Sequence, residues 1–181
     1  MRSLTPVTEA DLANLACPYC GTTTPPDAEW VVEAVRAWGL CGWRIAGDGQ
    51  TDALLLVAPS QSEPAAVLVM QLWVAPNATG RGLGKRLVQG AAAALKANGA
   101  TTILSRGSRS HPSCSVPPRD FLRAVGFTRQ LDERYYRLDL NRAVASRNPF
   151  QALLDRVTAA LQGPGEPAAG GLSPRAVSSP D

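Results

Sequence analysis

Leu72-Trp-Val-Ala-Pro-Asn-Ala-Thr-Gly-Arg-Gly-Leu-Gly-Lys-Arg-Leu87 is the stretch on which the reading of this chain turns. It continues a run, Ala66–Val74, that is apolar at nearly every position. Such a run predicts a strand buried on both faces inside a mixed sheet. Pro76-Asn77 ends the strand, and Leu83, Leu87, Val88, Ala91, Ala92 and Leu95 then recur at helical spacing to about Ala97, where Asn98-Gly99 stops the helix. A buried strand, a glycine turn and an amphipathic helix together make an anion site. The first N–H groups of the helix point outward, and the helix dipole adds partial positive charge there. Cations in a first helical turn cost about 0.3–1 kcal/mol each. Arg81, Lys85 and Arg86 crowd this one, which makes sense if a multiply charged anion binds there.

Two nucleotide motifs are excluded by single residues. A Walker A loop needs Gly at 79 and Ser or Thr at 86, where this chain has Thr79 and Arg86. A dinucleotide fingerprint needs Gly at 87, where this chain has Leu87.

Outward from this core, the chain alternates strand and helix signals. A short strand is predicted near Arg2–Leu4 and a helix start at Thr8. A helix is predicted over Asp27–Trp38, with Asp27 as N-cap, Gly39 past its end, and Val31, Val32, Val35 and Trp38 on one face. Trp43–Ala46 and Ala53–Ala58 read as strands around a Gly47-Asp48-Gly49 turn. Beyond the long helix come a strand at Thr101–Ser105, a polar loop at Arg106–Pro118, a short helix at Arg119–Val125 stopped by Gly126, and a strand at Arg134–Leu140. A last helix is predicted from the Asn148 N-cap and Pro149, with Phe150, Leu153, Leu154, Val157 and Leu161 on one face. Fourteen of the nineteen residues from Gly163 are Gly, Pro, Ser or Ala, a composition that predicts disorder.

The net charge of +3 conceals a division along the chain. Residues 1–78 hold eight acids and three bases, a net of −5; residues 79–162 hold fourteen bases and five acids, a net of +9; the tail contributes −1. The boundary falls where the glycine turn begins. The apolar runs are far shorter than the roughly 20 residues of a membrane-spanning helix, and Glu9 and Asp11 stand where a signal peptide needs an apolar run. A cytoplasmic location without membrane contact is therefore expected. With 6% aromatic residues and no basic stretch interleaved with them, no nucleic-acid surface is expected.

The segment Leu72–Leu87 resembles motif A of the GNAT superfamily of acyl-CoA-dependent N-acetyltransferases, and Phe121-Leu-Arg-Ala-Val-Gly-Phe127 resembles that family's helix ending in Gly-Phe. The order of elements to about residue 140 is also similar. The resemblance implies an α/β fold with a central mixed, twisted sheet flanked by helices on both faces, spanning residues 1–146. An appended helix (147–162) and a tail (163–181) would follow. It implies acetyl-CoA as co-substrate, with backbone groups of Leu72, Trp73 and Val74 along the pantetheine arm. Thr79, Gly80, Arg81, Gly82, Leu83, Gly84 and Lys85 would lie around the pyrophosphate. Thr79 departs from the family's Gln or Arg at that position. The implied reaction is acetyl transfer to a primary amine, first of a small cationic metabolite or antibiotic-like molecule. A protein N-terminus or lysine is the second acceptor class, and an acyl-CoA-binding sensor or assembly protein is the alternative to an enzyme. A homodimer is compatible with this reading.

The catalytic groups are not assigned by sequence. Many family members carry a tyrosine as general acid at the position of Leu122, and leucine cannot donate a proton. Tyr135 and Tyr136 are alternative donors. Glu33 and His111, the one histidine, are candidate bases, histidine being the residue type that exchanges protons near neutral pH. Cys17, Cys20, Cys41 and Cys114 supply the number of thiols a structural zinc site needs, but with only one C-x-x-C among them they are read as unreactive thiols, and no metal is expected.

Overall fold

The computed structural model describes residues 3–145 apart from Asp48 and Glu133. The predicted helix beginning at Asn148, the domain boundary at 146 and the tail lie outside the described residues. Seven strands form one sheet in the order β1-β2-β3-β4-β5-β7-β6. They are β1 (Ser3–Val7), β2 (Gly42–Gly47), β3 (Gln50–Pro59), β4 (Ala66–Val74), β5 (Thr102–Arg106), β6 (Thr128–Arg129) and β7 (Tyr135–Asp139). The β4–β5 pair is parallel and all other pairs are antiparallel. The helices are α1 (Glu29–Trp38), α2 (Leu83–Ala97), α3 (Arg119–Ala124) and α4 (Leu140–Ala145). None of them is long and apolar enough to cross a membrane.

The alternation of β3 divides the interior. Ala53, Leu55 and Val57 join the apolar cluster that also holds Leu87, Val88, Ala91 and Leu95 of α2. Leu54 and Leu56 join a second cluster with Val31 and Ala34 of α1. Helices thus cover both faces of a mixed sheet, as expected. The predicted stripe of α2 is buried at every position from Leu83 to Leu95. The predicted face of α1 needs correction. Val32 is exposed, and Ala34 takes its place beside Val31. The cap shifts as well: the N–H groups of Val31 and Val32 both donate to the carbonyl of Ala28, so Ala28 rather than Asp27 begins the helix.

Two breaks in pairing shape β4. Its parallel ladder with β5 runs from Ala66–Thr102 to Leu68–Leu104 and stops. On the other side Val57 pairs with Val69 and Leu56 with Gln71, so the register skips Met70. An inserted residue of this kind kinks a strand and reverses which side chains face which side. The reversal is visible in the packing. Val67 and Val69 belong to the α2-side cluster, but beyond the bulge it is Leu72 and Val74 that do, while Met70 and Trp73 face the α1 side.

Packing between strands is tight at Gly42, which pairs with both Val7 and Leu56. A Cβ there would overlap the carbonyl oxygen of Leu55 and approach Leu56 Cα to 3.0 Å. Backbone atoms in mid-sheet cannot swing aside. Gly42→Ala is therefore expected to destabilise the protein by about 1–3 kcal/mol, the ordinary range for an overpacked core. A denaturant melt with unchanged midpoint would contradict this account of the site.

Candidate active site

Beyond Leu68 the gap between β4 and β5 opens into a cavity of about 630 Å³. Its walls come from β4 (Leu72–Val74), the glycine turn and first residues of α2, the loop at Pro112–Pro118, α3, and Tyr19 from the segment before α1. Nine of the ten residues expected around the cofactor line it; the tenth, Arg81, does not.

The glycine turn is built as the sequence requires. Gly80 and Gly82 both have φ +73°, a left-handed conformation that costs an L-residue with a side chain roughly 1–2 kcal/mol. Gly82 is the N-cap of α2, and the first helical bond runs from Arg86 N–H to the Gly82 carbonyl at 3.0 Å. The N–H groups of Leu83, Gly84 and Lys85 precede that bond and stand at the positive end of a fifteen-residue helix. Thr79 turns its hydroxyl back to the Pro76 carbonyl at 3.0 Å, closing the loop before the glycines.

The edge of β4 that has lost β5 is partly occupied. Leu72 N–H donates to the Cys114 carbonyl at 2.6 Å, and the Tyr19 hydroxyl donates to the Val74 carbonyl at 2.6 Å. Two loops thus supply polar partners that buried backbone groups need. Two of the backbone groups expected along the pantetheine arm already have protein partners. On the α1-side face, Trp73 Nε1 and Gln71 Oε1 are buried without a hydrogen-bond partner, and Trp73 is a cavity wall.

The candidate acids and bases are scattered. Leu122 is fully buried in the core with Phe127 and Tyr136, and its neighbours Phe121 and Val125 are the ones that reach the cavity. Tyr136 is 2% exposed in the same core, and Tyr135 is an exposed residue of β7 that forms no part of the cavity wall. His111 is exposed, with Nδ1 3.0 Å from Ser110 Oγ, and stops one residue short of the wall that begins at Pro112. Glu33 is half-buried on α1 and also lies outside the wall. Of the three tyrosines in the chain, Tyr19 alone lines the cavity. No periodicity marks it, because it sits in an irregular turn that a contact across the fold brings into place.

Three of the four thiols converge beside it. The sulfurs of Cys17, Cys20 and Cys114 lie within 4.8 Å of one another, with Cys20 and Cys114 at 3.6 Å. Cys114, isolated in the sequence, thus stands beside the C-x-x-C pair. Cys41 remains apart, its thiol donating to the Val7 carbonyl at 3.4 Å. Environments differ accordingly. The Thr22 hydroxyl and backbone N–H, then the neighbouring thiols, stabilise the Cys20 thiolate and lower its pKa to about 7. Burial pushes Cys17 up. Burial, followed by the negative charge of Glu9, pushes Cys41 up to about 11.

A model of the Acetyltransferase (GNAT) family matches residues 24–127, more than half of the chain. Solved structures share the fold at low identity. An Escherichia coli GNAT-family N-acetyltransferase in complex with CoA is 17% identical, with a TM-score of 0.55 over 79% of this chain and 84% of that one. A Salmonella typhimurium acetyltransferase with acetyl-CoA is 16% identical, with a TM-score of 0.53 over 77% and 94%. The Escherichia coli ribosomal-protein-S18-alanine N-acetyltransferase is 14% identical, with a TM-score of 0.52 over 77% and 94%. No curated protein matches by sequence. With the glycine turn, the interrupted β4 ladder and the family match in register, the chain belongs to the GNAT family of acetyltransferases.

Proposed function

We propose that this acetyltransferase moves the acetyl group of acetyl-CoA to a primary amine in the cavity between β4, α2 and α3. The observation that carries the reading is the turn of Gly80 and Gly82, which directs three helix-start N–H groups toward the cavity wall. A pyrophosphate there would meet N–H groups and a favourable dipole with no Cβ in the way. The cavity volume falls within the roughly 300–1,000 Å³ of small-molecule sites. The pantetheine arm would run along Leu72–Val74, between Tyr19 and Phe121.

Acyl transfer to an amine needs a neutral nucleophile, positioned reactants, and a proton for the departing sulfur. The amine nitrogen bonds to the thioester carbon, the C–S bond breaks, the coenzyme thiolate takes up a proton from the donor, and the proton lost by the nitrogen passes to solvent, from which the donor is restored. We assign that proton to the Tyr19 hydroxyl, which donates to the Val74 carbonyl in the unliganded protein and would turn to the sulfur once the pantetheine arm engages that carbonyl. It is the phenol on the cavity wall, and it replaces the donor that Leu122, buried in the core, does not supply. The Trp73 indole N–H, buried without a partner, is available to a bound carbonyl or acceptor group.

A small cationic amine is the acceptor class favoured by the acid-rich first 78 residues. The carboxylates of Asp27, Glu29 and Glu33 do not line the cavity, so the preference would act through the local field rather than through contact.

Acetyl-CoA is expected to raise the melting temperature where ATP does not, and Gly82→Asp to weaken that binding at least tenfold, ~1.4 kcal/mol. An equal shift with ATP, or none with any acyl-CoA, would overturn the cofactor assignment. Tyr19→Phe removes one hydroxyl and is expected to lower kcat about 10²-fold, within the usual range for an acid catalyst, while acetyl-CoA affinity changes by no more than a few-fold. Unchanged kcat in a thiol-release assay over a panel of amines would remove Tyr19 from the mechanism. Acetyl-CoA binding without thiol release on any amine would favour an acyl-CoA sensor instead.

A further inference from the structure

The acyl transfer proposed above does not use Cys17, Cys20 and Cys114, of which Cys114 lines the cavity. We propose that Cys17, Cys20 and Cys114 form a tri-thiolate Zn²⁺ site whose fourth position is open to solvent or to a small exchangeable ligand.

The first ground is spacing. Tetrahedral zinc with Zn–S bonds of about 2.3 Å sets its sulfurs about 3.8 Å apart. Cys20 and Cys114 stand at 3.6 Å, and all three sulfurs fall within 4.8 Å. A disulfide would need about 2.05 Å. The second ground is the turn that presents the first two ligands. Cys17-Pro-Tyr-Cys20-Gly21 closes on itself through Gly21 N–H to the Cys17 carbonyl at 2.8 Å and Cys17 N–H to the Thr22 carbonyl at 2.9 Å, with Gly21 at φ +71°. Its Cys20 sulfur lies 3.2 Å from the Thr22 hydroxyl. A hydroxyl at that distance can donate to a metal-bound thiolate and orient it. The third ground is chain connectivity. Cys114 arrives from a loop 94 residues away and is itself anchored by its carbonyl on Leu72. A three-sulfur donor set selects a soft cation such as Zn²⁺ over Mg²⁺ or Ca²⁺.

Binding converts three thiols to thiolates and releases their protons to solvent. Cys17 is buried and Cys20 exposed, so the metal would have a protein floor and an open side. It would also tie the segment carrying Tyr19 to the loop carrying Cys114, fixing two walls of the cavity against each other. The site itself does not depend on what the cavity binds.

The test is metal analysis of the full chain purified under reducing conditions, followed by chelator stripping and titration with Zn²⁺ and Co²⁺. One equivalent of zinc per chain is expected. Co²⁺ should give sulfur-to-metal charge-transfer absorption that Zn²⁺ displaces, and both signals should be lost in Cys20→Ser, an exposed position whose substitution leaves the core intact. Cys41→Ser, outside the cluster, should retain them. Failure of the stripped, reduced protein to bind either ion would overturn the proposal. So would stoichiometric binding that survives Cys20→Ser, or a Cys20–Cys114 disulfide that forms in air while equimolar zinc is present.

Discussion

Met70 is passed over by the β3–β4 register, and the parallel ladder between β4 and β5 has already ended at Leu68. The architecture of the cavity depends on this one inserted residue. Before it, β4 is an interior strand with partners on both sides. After it, Leu72 and Val74 present backbone groups to a gap that β5, continuing alongside β7, does not fill. Unpaired peptide groups inside a protein are costly, so other parts of the chain are recruited to the gap. The Cys114 carbonyl accepts from Leu72, and the Tyr19 hydroxyl reaches Val74. The cavity, the tyrosine beside it and the meeting of the three thiols are consequences of the same interruption.

The glycine turn is the second half of the construction. Gly80 and Gly82 reverse the chain as it leaves β4 and start α2 with its positive end toward the cavity. The apolar stripe of α2, buried from Leu83 to Leu95, fixes that helix to the sheet and so fixes the anion site. Basic residues follow the turn in sequence because the helix start lies there. Lys85 is a cavity wall, whereas Arg81 lies outside it.

Local signals make much of this legible. The continuous apolar run of β4 and the 3.6-residue stripe of α2 are patterns that burial imposes on sequence, and both elements end within a residue or two of where the pattern stops. The family motif lies on the same segment. Less is legible where the outcome depends on contacts across the fold. The face of α1 is ambiguous in sequence because Val31, Val32 and Val35 are equally apolar, and only the position of the sheet decides that Ala34 is inside and Val32 outside. The two-residue strand β6 is too short to show a period. Tyr19 and the cysteine cluster are hidden for a related reason. Cys17 and Cys20 announce a turn, but their third partner is 94 residues beyond Cys20 and comes near only because β4 has a gap for its loop to enter.

The central claim is that the interrupted edge of β4 and the start of α2 together receive acetyl-CoA. Amide hydrogen exchange with and without the cofactor tests it most directly, because it reports each backbone N–H separately. The account predicts added protection at Val74, on the gap side of β4, and at Leu83, Gly84 and Lys85, with β1 and β2 unchanged. Protection confined to other surfaces, or none at the helix start under saturating acetyl-CoA, would contradict it.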